Sequence, residues 1–145
     1  MKHSFTADRK LIQSLKKRSN PVDFGNGRTL FRQDDPPTGV YILLEGEAFL
    51  EMKSETGKVL IALQVPAPAV LGLPGLIANE PYTFSAQACE GADVRFVAQN
   101  DFDEVIQSEA TLYPQILRIL AAEVRSVRLA LPGLLGKQST RAHQT

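Results

Sequence analysis

Residues 28–50 read RTLFRQDDPPTGVYILLEGEAFL, and their texture decides the fold. Thr29–Phe31, Val40–Leu44 and Ala48–Leu50 are short β-rich runs. Between them lie Asp34-Asp35-Pro36-Pro37 and Glu45-Gly46-Glu47, clusters of residues that favour turns. Moving outward, Val59–Leu63 and Val94–Val97 repeat the pattern. Gly25-Asn26-Gly27, Glu55-Thr56-Gly57-Lys58 and Glu90-Gly91-Ala92-Asp93 punctuate it. Many short strands at fairly even spacing imply an antiparallel roll or barrel, expected over residues 24–98.

Helical signals flank the strands. Residues 5–18, FTADRKLIQSLKKR, place Phe5, Leu11, Ile12 and Leu15 near one helical face with basic residues opposite. Asn20-Pro21 is expected to end that helix, because proline pushes its predecessor out of the helical region. Further on, Asp101-Phe102-Asp103-Glu104 has the capping-box pattern, with Asp101 as N-cap. Pro114 suits the first turn of a longer helix over 112–131. Along it Ile116, Leu120, Val124, Val127 and Leu131 recur at a spacing typical of helix pairing, so they are a candidate homodimer seam. On that reading a second line through Leu117 and Ala121 faces the roll; the alternative is one amphipathic helix packed on its own domain. Pro132-Gly133 stops the helix, leaving residues 1–131 as the domain and 132–145 as a flexible tail.

Composition removes several functions. The 145 residues suffice for one core, and 16 basic side chains balance 16 acidic ones, so no global field gathers nucleic acid or an anionic membrane. The basic residues of the terminal helices, Lys10, Lys16, Lys17, Arg18, Arg118, Arg125 and Arg128, read as solvated faces. Cys89 is the single cysteine and His3 and His143 sit at the two ends, so no metal site and no catalytic Ser/His/Asp or Cys/His group is expected. Turn carboxylates such as Asp34, Asp35, Glu45 and Glu47 read as turn formers. Cys89, on an expected strand, reads as a small buried hydrophobe, with a redox role as the alternative. No signal peptide and no run near the ~18 apolar residues of a membrane span is seen, so the expectation is a cytoplasmic, non-enzymatic protein without a cofactor.

Helix, roll, short helix, long helix is an order that resembles the cyclic-nucleotide-binding domain of the Crp/Fnr-type bacterial regulators. Residues 28–50 are similar to its first hairpins, with Gly46 at a family glycine, and residues 57–63, GKVLIAL, to the next strand. Gly72-Leu73-Pro74-Gly75-Leu76 falls where the family has Gly-Glu-Leu-(Gly/Ala)-Leu, and Phe84-Ser85-Ala86 where it has Arg-(Ser/Thr)-Ala. Residues 101–128 resemble the family's B and C helices, the second of which dimerises the bacterial regulators. The resemblance spans roughly residues 10–130 and implies a mainly β fold with flanking helices, a jelly-roll-like antiparallel double-stranded β-helix.

The departures bear on function. In the family the cassette glutamate accepts a hydrogen bond from the ribose 2′-hydroxyl and the arginine pairs with the cyclic phosphate. Those positions here are Leu73 and Phe84; a one-residue shift substitutes Thr83, also uncharged. Pro74 removes a backbone donor, and no Lys or Arg occurs between Lys58 and Arg95. Only Gly72, Gly75 and Ser85 keep the family chemistry. Losing both contacts weakens nucleotide binding by about three to four decades. Phe49, Leu71, Leu73, Phe84 and Ala86 are then candidates to line an apolar cavity, either filled as core or open to an apolar ligand.

Family regulators continue into a winged helix-turn-helix, and only 14 residues follow Leu131, so DNA binding by that route is not expected. The resulting expectation is a stand-alone sensor or regulatory domain with a degenerate cassette that signals to a protein partner. The alternative is a true cAMP or cGMP receptor, or a Crp/Fnr-type regulator component, with atypical ligand contacts such as Ser85 and backbone N–H groups.

Overall fold

A computed structural model describes residues 7–25 and 27–130. Eight strands form two four-stranded antiparallel sheets: β1 (Asn20–Pro21), β2 (Thr29–Phe31), β3 (Gly39–Glu45), β4 (Glu47–Lys53), β5 (Val59–Pro66), β6 (Ala69–Leu71), β7 (Ser85–Ala88) and β8 (Asp93–Ala98). One sheet runs β1-β8-β3-β6 and the other β2-β7-β4-β5. Four helices accompany them: α1 (Arg9–Lys16), α2 (Leu73–Ala78), α3 (Gln99–Ser108) and α4 (Tyr113–Ala130). This is the β-roll with flanking helices that the strand texture implied.

Strand β3 shows why the chain folds this way. Its side chains alternate, and both faces are apolar. Val40 and Ile42 join a core with Leu11, Leu15, Val97, Phe102 and Ile116, on the helix side of the sheet. Leu43 joins the second core between the sheets, with Leu50, Ile61, Leu71, Ala86 and Val94. The β3–β4 hairpin turns on Gly46, whose φ of +82° is left-handed and whose added Cβ would lie 2.8 Å from Ala92 Cα. The family glycine is thus needed twice, for conformation and for space.

Local expectations need correction at several places. Asn20–Pro21 ends no helix directly, since α1 stops at Lys16; the pair instead forms β1, antiparallel to Phe96 and Arg95. Proline is tolerated there because the strand lies at the sheet edge. Asp101 is not an N-cap. Helix α3 starts at Gln99, whose N–H donates to the Thr38 carbonyl at 3.0 Å, so β8 runs straight into it. Asp101 falls in the first turn, 3.7 Å from Arg18, which also pairs with Glu104. Cys89 lies just past β7 and is half-buried, its N–H bonded to Glu47 and its carbonyl to Arg28. Phe5, Leu131, Pro132-Gly133 and the 132–145 tail lie outside the described residues.

Candidate functional site

The expected cassette begins where β6 ends. Gly72 caps α2 with φ +91°, a left-handed conformation that turns the chain from strand into helix within one residue. Pro74 lies in the first turn of this six-residue helix, so the turn has one N–H fewer to offer an anion. Leu73 is fully buried in the helix-side core, whereas Phe84, 4% exposed, is buried in the roll interior. The two positions that hold ribose and phosphate in the resemblance therefore serve two different apolar cores. Each fully buried side chain of this size contributes about 1.5–3 kcal/mol.

Tyr82 holds the loop after α2, and no motif in the sequence marks it. Its hydroxyl donates to the Gly39 carbonyl (2.9 Å) and accepts from the N–H groups of Thr38 (3.0 Å) and Gly39 (3.3 Å). Its backbone exchanges hydrogen bonds with Asp34 and Asp35. Ser85, expected to keep the family chemistry, accepts the Gln33 N–H at 2.9 Å. Ala86 is fully buried opposite Phe31 and Leu50.

Between these parts lies a cavity of about 10 Å³ lined by Gly72, Pro74, Gly75, Phe31, Leu50, Tyr82, Thr83, Phe84 and Glu123. That is room for about one water. Of the five apolar lining residues expected, only Phe84 reaches it. Leu71, Leu73 and Ala86 are core, and Phe49 lies on the opposite face of β4 and is 36% exposed. Strand alternation explains this, since Leu50 rather than Phe49 points inward.

Glu123 is the unforeseen member. It comes from α4, is 5% exposed, and its Oε2 has no hydrogen-bond partner among the described residues. Burial pushes its pKa up to about 8. It stands in the stripe Leu112, Ile116, Ile119, Glu123, at the 4-3-4 spacing of one helix face, so the sequence did carry a signal: an acid where the stripe calls for an apolar residue.

That stripe also corrects the phase of α4. Ile116 of the expected seam faces inward, buried with Ile119. Leu120 packs against the helix-side core and Val127 against the roll interior. Val124 is 67% exposed; Leu117, expected to face the roll, is 64% exposed, and Ala121 is exposed too. Tyr113, Leu117 and Val124 thus present an outer apolar stripe that shares only Val124 with the expected seam.

Around α1, Lys10, Lys16 and Lys17 are exposed as expected, about an open groove with Ser14 and Glu109. Among the described residues no group of three His, Cys, Asp or Glu side chains is placed to hold a metal ion, and no helix is long and apolar enough to cross a membrane.

The comparisons agree with this architecture. The cyclic nucleotide-binding domain profile matches residues 21–109, and the chain belongs to that family. It is 27% identical over 127 residues to the CRP-like cAMP-activated global transcriptional regulator of Mycobacterium tuberculosis, covering 86% of this chain and 55% of that protein. It is 28% identical over 116 residues to the transcriptional regulatory protein btr of Bordetella pertussis, covering 79% and 46%. The Thermus thermophilus catabolite activator protein shares the fold with a TM-score of 0.72 at 18% identity, over 88% of this chain and 60% of that one. The chain therefore spans about half the length of the curated relatives it matches, and both are named as transcriptional regulators.

Proposed function

We propose that this chain is a regulatory domain of the Crp type whose cassette does not grip a cyclic nucleotide, and which signals through protein–protein contacts. The observation that carries this reading is the lining of the cassette cavity. Among the described residues its lining has a buried carboxyl and no Lys or Arg, and its volume is about that of one water. A cyclic phosphate there meets aromatic carbon and a group that becomes negative when ionised, with no cation to pair with. Leu73 and Phe84 complete two cores where a nucleotide site needs a ribose acceptor and a phosphate donor.

The outer stripe of α4 supports a protein contact, either with a second copy of the chain or with another protein, because Tyr113, Leu117 and Val124 expose adjacent apolar surface. Calorimetric titration with cAMP and cGMP, with the solution mass recorded alongside, tests the reading. The expected result is no heat of binding at micromolar nucleotide. Micromolar affinity for either nucleotide overturns it and makes the chain a nucleotide receptor with new phosphate contacts.

A further inference from the structure

The basic side chains of α1 are unevenly matched. Arg18, just past the helix, pairs with Asp101 and Glu104 of α3. Lys16 and Lys17 beside it have no ion pair among the described residues. Lys10, at the other end of the helix, donates from Nζ to the Thr111 hydroxyl at 3.0 Å. That bond fixes its ammonium group and leaves it two further donors. The three lysines surround an open groove of about 480 Å³, which Gln13, Ser14 and Glu109 complete.

We infer that this groove docks an acidic segment of a partner protein. Its lining holds three ammonium groups against one carboxylate, so its local field attracts anions although the chain as a whole is neutral. The spacing suits a polypeptide. Lys10 and Lys17 lie on one side of α1, and their separation in sequence corresponds to about 10 Å along a helix. In a polyproline II segment, a common conformation of unfolded chains, residues three apart share a face about 9 Å apart.

Glu109 selects the class of partner. Ser14 Oγ donates to its Oε1 at 3.1 Å, and the carboxylate accepts further bonds from peptide N–H groups. The phosphates of a nucleic acid or a lipid bring only acceptors to that place, and the carboxylate repels them. The inference rests on the proposed protein contacts and gives them a chemistry, at residues other than the outer stripe of α4. Each exposed ion pair raises affinity only about two- to five-fold, so an isolated peptide binds weakly and salt screens it.

The test follows the backbone amides of the whole chain by two-dimensional NMR at low salt as a capped heptapeptide is added. Its first, fourth and seventh residues are glutamate and the others glycine; a control peptide has glutamine in place of glutamate. Saturable shifts over residues 10–17 and 109–111 are expected with the glutamate peptide. Binding should be about ten-fold weaker, or lost, with the control peptide and in Lys10→Glu combined with Lys17→Glu, whose other amides keep their positions. Equal response to both peptides, no response, shifts elsewhere, or a response that survives in the double variant overturns the inference. Tighter binding of an oligothymidylate or of phosphatidylserine vesicles at the same amides also overturns it, because the groove then serves phosphate. Failure here leaves the outer stripe of α4 to carry the protein contact, so the proposed function stands. Binding of cAMP, titrated separately, removes the cassette reading and leaves the groove to the peptide result.

Discussion

The ring of Tyr82 stacks on that of Phe31 with 28° between their planes, while its hydroxyl closes three hydrogen bonds onto the backbone of Thr38 and Gly39. One side chain thereby ties the cassette loop to both the strand before it and the loop above it. Tyr82→Phe keeps the stack and removes the hydroxyl, leaving the buried Gly39 N–H and carbonyl without that partner. A loss of about 1–3 kcal/mol is expected in urea unfolding. A variant as stable as the parent would show that water replaces the hydroxyl at no cost.

Glu123 makes stability depend on pH in a stated direction. Its folded pKa, about 8, lies above the ordinary value of 4.5, and desolvation is the cause. Between those values the unfolded chain has released its proton while the folded chain keeps it. The folded state binds more protons, so this group's contribution falls as pH rises from about 4.5 to 8 and is flat beyond. Glu123→Gln should remove that slope and, at pH 8, exceed the parent by an amount on the order of a few kcal/mol. Parallel pH profiles of parent and variant would sink the assignment.

Repairing the cassette requires more than its two family positions. Leu73→Glu places a carboxylate in the helix-side core and should cost several kcal/mol, about the range of a buried unpaired charge. Phe84→Arg puts a guanidinium beside Glu123, because both line one cavity, and that acid then competes with phosphate for it. Phe84→Arg combined with Glu123→Gln is therefore expected to bind cAMP more tightly than Phe84→Arg alone. Equal cAMP affinity for the two would mean that Glu123 does not face the arginine.

The two faces of α4 should respond oppositely to charge. Leu117→Glu and Val124→Glu change residues 64% and 67% exposed, so folding should survive within about 0.5 kcal/mol. If the outer stripe joins two copies, sedimentation of the double variant should report a monomer where the parent is a dimer. Ile116→Glu, on the buried face, should unfold the domain. A parent that sediments as a monomer at all concentrations removes the homodimer and leaves the stripe for another protein.

Much of this was legible in the chain. Val40–Leu44 and Val59–Leu63 announce strands because β-branched and apolar residues there are bounded by turn clusters, and Gly46 announces its turn. Leu73 and Phe84 were readable as uncharged, but not as members of separate cores, since strand partners decide that and they are distant in sequence. Asn20–Pro21 was hidden because a proline pair argues against a strand unless the sheet ends there. The phase of α4 slipped because Ile116, Leu120, Val124 and Val127 follow a tidy spacing that straddles the edge of the buried face. Glu123 escaped notice for a related reason: an acid on a long helix ordinarily meets water, and only the neighbouring Ile116 and Ile119 show that this one does not.

Strand β3 has a last consequence. With Val40 and Ile42 turned to the helices and Leu43 to the roll interior, one seven-residue segment is a party wall between two apolar rooms. Neither room can be emptied while the other stays furnished. Helices and roll should therefore melt as one cooperative unit, with the amides of β3 the last in the molecule to exchange with solvent.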